Sequence, residues 1–293
     1  MNNNCFSFKA DQETINKIID FYNYCKVDIE NPNILFRGAT SEFSVQIYKN
    51  NTILIQGRKA IYEYSIWQNS NTFVSHAGSD EVGTGDYFGP VVVAACLVLK
   101  DDFDYLLSLG VKDSKQLSDE KIKEIAPLII KRVKTKISIL SNNKYNQIYV
   151  TKNYNLNKIK AFLHNFVINK LIEDTKFEGP IIIDQFCDES LYFRYLYDLK
   201  VNNIFKNVSF YIKAENKFLA VACASIVARY EFLKIIDEMG EKIGFKILKG
   251  ANTDVDILAY KIAKKYGIEE LKKLTKFHFS NTNKVVKLLE FDY

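Results

Sequence analysis

The chain has 293 residues, of which 47% are hydrophobic and 14% aromatic, a composition that suits one large or two ordinary domains and excludes a disordered protein. The formal net charge of +5 is small for this length, so it permits a polyanionic partner without requiring one. The five cysteines are odd in number, widely spaced and form no CxxC pair, which argues against a disulfide framework or a structural zinc site and predicts a cytoplasmic location.

The first part of the chain predicts a small α+β domain. Apolar periodicity and turn residues indicate five elements, namely a helix over 11–26, strands over 34–37, 43–48 and 52–56, and a helix over 59–67. The polar stretch 68–72 is the predicted linker. We therefore expect two domains, 1–72 and 73–293.

From residue 73 onward, apolar strands alternate with helices, which predicts an α/β layer. The strands are almost continuously apolar, as in a sheet that is covered on both faces. The expected strands are 73–80, 91–99, 137–140, 180–184 and 208–213, and the expected helices are 156–173, 189–199 and 217–239. Ala220, Ala224 and Ala228 form a small-residue stripe on the last helix, which allows close approach to a sheet.

No segment that targets or crosses a membrane is predicted. The opening MNNNCFSF lacks the basic and apolar stretches of a signal peptide. The longest apolar run, Val91–Leu99, is shorter than the roughly 20 residues that span a bilayer. We expect no membrane association, and a monomer by default.

Acidic residues stand at the ends of three predicted strands. Asp80 and Glu81 end the first, Asp184 ends the strand over 180–184, and Glu215 follows the strand over 208–213. Carboxylates gathered at one edge of a sheet repel each other unless a cation lies between them. Hard divalent cations such as Mg²⁺ suit sites of this kind. The alternative is that each acid is an ordinary solvated residue at a strand end.

Asp80 and Glu81 can converge on one ion only if the backbone turns sharply beside them, because adjacent strand residues point to opposite faces. Gly83 and Gly85 would supply that freedom. Two metal ions about 4 Å apart can activate a water and neutralise the leaving oxygen in phosphodiester hydrolysis. Such a site requires no His or Ser nucleophile.

Six stretches of the chain carry a resemblance to a known family. They are GSDEVGTGDYFGPVVVAA (78–95), VKDSKQLSDE (111–120), NLNKIKAFLHN (155–165), IIIDQF (181–186), KAENKFLAVACASIVARYEFL (213–233) and HFSNTNK (278–284). With them the chain resembles bacterial ribonuclease HIII, a type 2 ribonuclease H. The resemblance covers nearly all of residues 78–284.

This resemblance implies an RNase H-like catalytic domain with a mixed sheet flanked by helices. It also implies a small amino-terminal domain like the TATA-binding protein, used for substrate binding. By motif, the metal ligands of the family fall on Asp80, Glu81, Asp184 and Glu215, with Asp80 bridging two ions and Glu215 helping to position the attacking water. The implied cofactor is Mg²⁺, or Mn²⁺ as an alternative. The implied reaction is endonucleolytic hydrolysis of the RNA strand of RNA–DNA hybrids, which leaves 3′-hydroxyl and 5′-phosphate ends.

Two positions separate this chain from the related ribonuclease HII group. That group has Gly-Arg-Gly where this chain has Gly83-Thr84-Gly85, and Gly-Asp where this chain has Ala214-Glu215. Because Gly-Arg-Gly is associated with single ribonucleotides in DNA, we expect weak or no activity at such junctions. Ribonuclease HII-like incision is the alternative within enzymes. A non-catalytic hybrid-binding protein is the alternative outside them, and the presence of all four acids counts against it.

Substrate contacts are expected next to the acids. The Gly83, Thr84 and Gly85 turn could contact the 2′-hydroxyl that distinguishes RNA from DNA, or it could only shape the site. Lys115 is a candidate phosphate contact or a solvated loop lysine. The carboxy-terminal tail interleaves aromatic residues with eight lysines, which fits either a nucleic-acid-binding flank or two amphipathic helices. The eight are Lys261, Lys264, Lys265, Lys272, Lys273, Lys276, Lys284 and Lys287.

Overall fold

A computed structural model describes residues 5–67, 73–152 and 154–291. The chain divides into two units, Met1–Val74 and Ser75–Tyr293. The predicted boundary after residue 72 lies two residues before this division. The predicted linker 68–72 lies outside the described residues.

The amino-terminal unit is a four-stranded antiparallel sheet in the order β1-β4-β3-β2, with two helices packed on one face. Its elements are β1 Cys5–Lys9, α1 Gln12–Tyr22, β2 Ile34–Ala39, β3 Ser44–Tyr48, β4 Thr52–Gln56 and α2 Ala60–Ile66. Alternate side chains of β3 and β4 are buried against Ile15 and Ile18 of α1. The predicted α+β fold is confirmed, although β1 was not predicted.

A buried hydrogen-bond chain joins the two helices of this unit. The Tyr22 hydroxyl donates to Glu63 Oε2 at 2.8 Å, and Trp67 Nε1 donates to the Tyr22 oxygen at 3.2 Å. Burial raises the pKa of Tyr22, and the charge on Glu63 raises it further. The phenol therefore stays protonated and serves the carboxylate as a donor.

Tyr22→Phe is expected to lower the free energy of unfolding by about 1–3 kcal/mol, because two buried polar groups each lose a hydrogen bond. Urea denaturation followed by the fluorescence of Trp67, the single tryptophan of the chain, measures the loss. Tyr24→Phe is the matched control, since Tyr24 is 73% exposed. Similar losses in both variants would contradict the prediction.

The carboxy-terminal unit contains a five-stranded mixed sheet in the order β7-β6-β5-β8-β9. The strands are β5 His76–Val82, β6 Val91–Val98, β7 Lys134–Leu140, β8 Ile181–Asp184 and β9 Ser209–Tyr211. The β5–β6 and β6–β7 pairs are antiparallel, whereas β5–β8 and β8–β9 are parallel. This arrangement confirms the predicted mixed sheet and sets β5 beside β8, the strands that carry Asp80 and Asp184.

The helices of this unit are α3 Phe103–Ser108, α4 Asp119–Arg132, α5 Asn142–Lys152, α6 Leu156–Thr175, α7 Glu189–Asp198, α8 Leu219–Ile243, α9 Thr253–Tyr266, α10 Ile268–Leu274 and α11 Ser280–Phe291. Helices α6 and α8 are the two that pack most extensively on the sheet. The small-residue stripe of α8 is fully buried against β5 and β6, as expected. Helices α3, α4 and α5 were not predicted, and α4 contains Pro127. Among the described residues, no helix has the length and apolar character to span a membrane.

Two predicted strand ends are wrong, and both errors concern acidic residues. Strand β5 does not end at Asp80 but continues through Glu81 to Val82, paired with β6 along its whole length. Strand β9 ends at Tyr211, so Glu215 lies beyond it in the short 3-10 turn Ala214–Asn216. The two neighbouring acids of β5 are therefore on opposite faces of the sheet.

Candidate metal centre

Asp80 and Asp184 are neighbours on two parallel strands. Ser79 of β5 is paired with Ile183 of β8, so the two aspartates occupy the next position on strands that lie about 4.8 Å apart. Asp80 is only 7% exposed. The next backbone amide, that of Glu81, donates to Asp80 Oδ1 at 2.7 Å.

The electrostatics of Asp80 indicate a site that lacks positive charge. Burial raises its pKa well above the usual range, and the negative charges of Glu81 and Asp184 raise it further, although a hydrogen bond from Ser225 opposes them. Each of these causes acts against the charged carboxylate. A bound divalent cation would reverse the effect, because it compensates the clustered charge.

A backbone contact holds the turn that carries Glu215 close to Asp184. The amide of Ala214 donates to Asp184 Oδ1 at 2.8 Å, which holds the turn that carries Glu215 beside the end of β8. The side chain of Glu215 is 2% exposed. Lys213 has a left-handed backbone (φ 54°) and directly precedes the 3-10 turn that carries Glu215.

Glu81 is held on the opposite face of β5, against α6. Lys160 Nζ lies 2.5 Å from Glu81 Oε1, and His164 Nε2 lies 2.8 Å from Glu81 Oε2. His164 Nδ1 in turn lies 2.8 Å from Ser79 Oγ. Burial raises the pKa of Glu81, but the His164 hydrogen bond and the charges of His164 and Lys160 outweigh burial, so the pKa is lowered.

Sequence reasoning missed these partners of the acids. Lys160 and His164 are four residues apart in the stretch NLNKIKAFLHN and therefore share one face of α6. A basic pair at that spacing among the buried apolar residues of the helix is the signal that could have identified them. Ser225 on α8 carries no such signal, because it follows only from the packing of α8 on β5.

Lys160→Met is expected to lower the free energy of unfolding by about 3 kcal/mol, because it leaves a buried carboxylate with one cationic partner fewer. Urea denaturation measures the loss, and a second change, Glu81→Gln, should restore most of it. Lys170→Met on the same helix is the matched control, since its ion pair with Glu173 is solvent-exposed. An equal effect in the control, or no restoration by Glu81→Gln, would contradict the prediction.

Only one of the two glycines in the turn after β5 is required by the backbone of that turn. Gly83 has φ +86°, and a Cβ there would lie 2.2 Å from the Pro90 carbonyl oxygen, so only glycine fits. Gly85 is exposed, and a Cβ there would meet nothing within 4 Å, so the expectation that it also permits the turn is wrong. Thr84, between them, is half-buried. The side chain of Lys115 lies outside the part of the chain that the structure describes.

Lys276 supports this turn rather than lining a basic flank. It is 1% exposed, and its ammonium donates to the Asp86 carbonyl at 2.8 Å and the Gly89 carbonyl at 2.5 Å. The Gly250 amide donates to Asp86 Oδ1 at 2.6 Å. At least one of the eight tail lysines is therefore structural. It holds the loop that follows the candidate substrate turn by hydrogen bonds to the backbone carbonyls of that loop.

The acids around Asp80 fit a hydrated Mg²⁺ or Mn²⁺ better than a fully protein-ligated ion. Across residues 5–67, 73–152 and 154–291, no three His, Cys, Asp or Glu side chains are placed to hold one ion. Mg²⁺ keeps several waters and binds through one or two carboxylates and substrate phosphates. Asp80 and Asp184 supply two such carboxylates on adjacent strands, and burial and neighbouring negative charges raise the pKa of Asp80.

The chain is similar to known proteins in both of its units. The family profile described as Ribonuclease HII matches residues 77–282, and the profile described as Domain of unknown function (DUF3378) matches residues 6–77. A relative named Ribonuclease HIII, from Geobacillus sp. (strain WCH70), is 40% identical over 268 residues that cover 87% of this chain and 88% of the relative.

Two further comparisons cover almost the whole chain. Ribonuclease HIII from Streptococcus agalactiae serotype Ia is 36% identical over a match that covers 98% of this chain and 100% of the relative. The crystal structure of Bst-RNase HIII in complex with Mn²⁺ superposes with a TM-score of 0.71 at 34% identity, and covers 98% of this chain and 99% of that one. The chain therefore belongs to the ribonuclease HII family and, within it, to the ribonuclease HIII proteins.

Proposed function

We propose that this chain hydrolyses the RNA strand of RNA–DNA hybrids endonucleolytically, with divalent cations, and leaves 3′-hydroxyl and 5′-phosphate ends. The observation that carries the proposal is Asp80 beside Asp184, where burial and then the negative charges of Glu81 and Asp184 raise the pKa of Asp80. In a ribonuclease HIII protein, such a site fits metal-dependent cleavage. Mg²⁺ is the proposed cofactor, and Mn²⁺, which Bst-RNase HIII holds, is the alternative.

Asp80, Asp184 and Glu215 are the acids that we assign to metal binding in the free protein, with no more than two of them on any one hydrated ion. When bound, the metal supplies an activated water and neutralises charge on the leaving oxygen. Asp80 would orient the ions from the central strand, and Glu215 would accept a hydrogen bond from the attacking water. The low exposure of Asp80 and Glu215 keeps bulk water from screening these interactions.

Glu81 has a different part in this proposal. Because Lys160 and His164 hold its carboxylate on the α6 side, we propose that Glu81 joins the metal ligands only when substrate is bound. Calorimetric titration with Mn²⁺ in the absence of nucleic acid tests this assignment. Asp80→Asn should weaken Mn²⁺ binding at least about 10-fold, whereas Glu81→Gln should change it less than about 3-fold. A loss of equal size in both variants would place Glu81 among the ligands of the free protein.

Recognition of the hybrid is assigned to both units. The turn of Gly83, Thr84 and Gly85 would contact the 2′-hydroxyl that distinguishes RNA from DNA, with the side chain of Lys115 as a phosphate contact. The amino-terminal unit would bind the substrate on its sheet. The free thiols of all five cysteines are compatible with a reducing cytoplasm, where we place the reaction.

A panel of labelled duplexes tests the substrate class. Cleavage is expected within the RNA run of a uniform hybrid, with no cleavage of double-stranded RNA. A duplex that carries a single ribonucleotide should be cut at least about 100-fold more slowly, because this chain has Gly83-Thr84-Gly85 in place of the Gly-Arg-Gly stretch that is associated with such junctions. Preferred cutting of the one-ribonucleotide duplex would replace this proposal with the ribonuclease HII-like activity.

A further inference from the structure

An apolar groove lies on the carboxy-terminal unit between β7, α5 and α6. It has a volume of about 430 Å³, which is within the range of sites that bind ligands or peptide side chains. Its walls are mainly apolar, with contributions from Ile139, Leu140, Ile148, Phe162, Phe166 and Leu199. None of these residues belongs to the metal centre or to the turn that follows β5.

Large apolar side chains are exposed along this groove. Phe162 is 43% exposed and Phe166 is 42% exposed, and their rings are stacked with centroids 6.4 Å apart on one face of α6. Ile139 on β7 is 47% exposed. Single exposed apolar residues are common on protein surfaces, but a contiguous group that lines a groove is typical of an interaction site.

One wall of the groove is the edge of a sheet. Within the described ranges, β7 pairs with β6 and with no other strand, so the backbone groups of its outer edge are available to an added strand. Extended peptides bind sheet edges in this way and place alternate side chains in neighbouring pockets. The strand also carries Lys134 and Lys136, and lysines on an edge strand disfavour pairing with a second copy of the same edge.

The charge of the groove is positive. Its charged lining residues are Lys144 and Lys158, and neither Asp nor Glu contributes to the lining. Lys158 pairs with Asp198 at 3.2 Å, whereas Lys144 donates to the neutral side chain of Gln147 at 3.2 Å. A carboxylate placed near Lys144 would therefore gain a cationic partner without displacing another acid.

We propose that this groove docks an extended, acidic segment of a partner protein. Apolar side chains of the segment would cover Phe162 and Phe166, its carboxylates would lie near Lys144 and Lys158, and its backbone would pair with the outer edge of β7. A nucleic-acid strand fits less well, because its sugar-phosphate backbone would face the apolar floor. The proposal is independent of the nuclease activity.

Selection from a phage-displayed library of random peptides tests the proposal with the full-length protein. We expect enriched peptides in which acidic and apolar residues alternate. Their synthetic versions should bind at least 10-fold more weakly, by fluorescence polarisation, to the double variant Phe162→Ala/Phe166→Ala. Lys144→Glu should weaken them as well. Leu128→Ala is the matched control, since Leu128 is 40% exposed on α4, and it should bind like wild type.

Several outcomes would overturn the proposal. These are no enrichment, enrichment of neutral or basic peptides, and equal binding to the wild type and the double variant. Sedimentation of the free protein provides a further check. A concentration-dependent dimer that the double variant abolishes would assign the groove to a second copy of this chain instead. Circular dichroism establishes that each variant is folded before its binding is compared.

Discussion

Asp80→Asn is expected to slow hydrolysis of an RNA–DNA hybrid at least about 1000-fold, because it removes the central metal ligand and with it the activated water. The same change is expected to keep or raise the free energy of unfolding in metal-free buffer. The amide replaces a carboxyl group whose charged form is disfavoured by burial and by the negative charges of Glu81 and Asp184. Single-turnover cleavage and urea denaturation of the same preparations measure the two effects.

The opposite directions of these effects distinguish a functional role of Asp80 from a structural one. Asp104→Asn is the control, because Asp104 is an exposed acid on α3, and it should cleave like the wild type. A rate within about 10-fold of the wild type would remove Asp80 from the metal centre. Loss of activity together with a large loss of stability would assign Asp80 a structural part instead.

Gly78→Val is expected to lower the free energy of unfolding by more than about 3 kcal/mol, at the upper end of overpacking effects. A Cβ at Gly78 would lie 2.6 Å from both the Val221 nitrogen and its Cγ2, and 2.9 Å from the Ala220 carbonyl carbon. These are atoms of α8, which crosses β5 at this point. Because two of them are backbone atoms, only a shift of the helix can relieve the clash.

Urea denaturation followed by circular dichroism measures the loss in Gly78→Val. Gly85→Ala is the control for stability, because a Cβ there would meet nothing within 4 Å. It should leave the midpoint of the transition unchanged. A Gly78→Val protein as stable as the control would mean that α8 does not lie against β5 as described, and the position of Ser225 next to Asp80 would then be in doubt.

The four acids could be identified as candidates from the sequence because each lies at or near the end of an apolar strand, and apolar strands are recognisable. The direction of Glu81 could not be predicted. It depends on whether β5 ends at Asp80 or two residues later, which is decided by pairing with β6 and not by any local pattern. One further residue of strand places the two acids on opposite faces of the sheet.

The side chains that contact the acids could not be identified from the sequence for a similar reason. Lys160 and His164 are about 80 residues from Glu81 along the chain, and they meet it only because α6 covers one face of β5. Gly78 stands within one of the family-like stretches, and only the fold shows that its lack of a side chain allows α8 to approach β5. The sequence patterns predicted strands, helices and the candidate acids, whereas contacts between distant elements required the fold.

Metal-dependent hydrolysis of the RNA strand is tested most directly by cleavage of a hybrid whose two strands carry different fluorophores. The assay is run with Mg²⁺, with Mn²⁺ and with EDTA. We predict that the RNA strand is cut at internal positions with either metal, that the DNA strand stays intact, and that EDTA stops the reaction. An RNA strand that stays whole in both metals, or cutting that continues in EDTA, would contradict the proposed function.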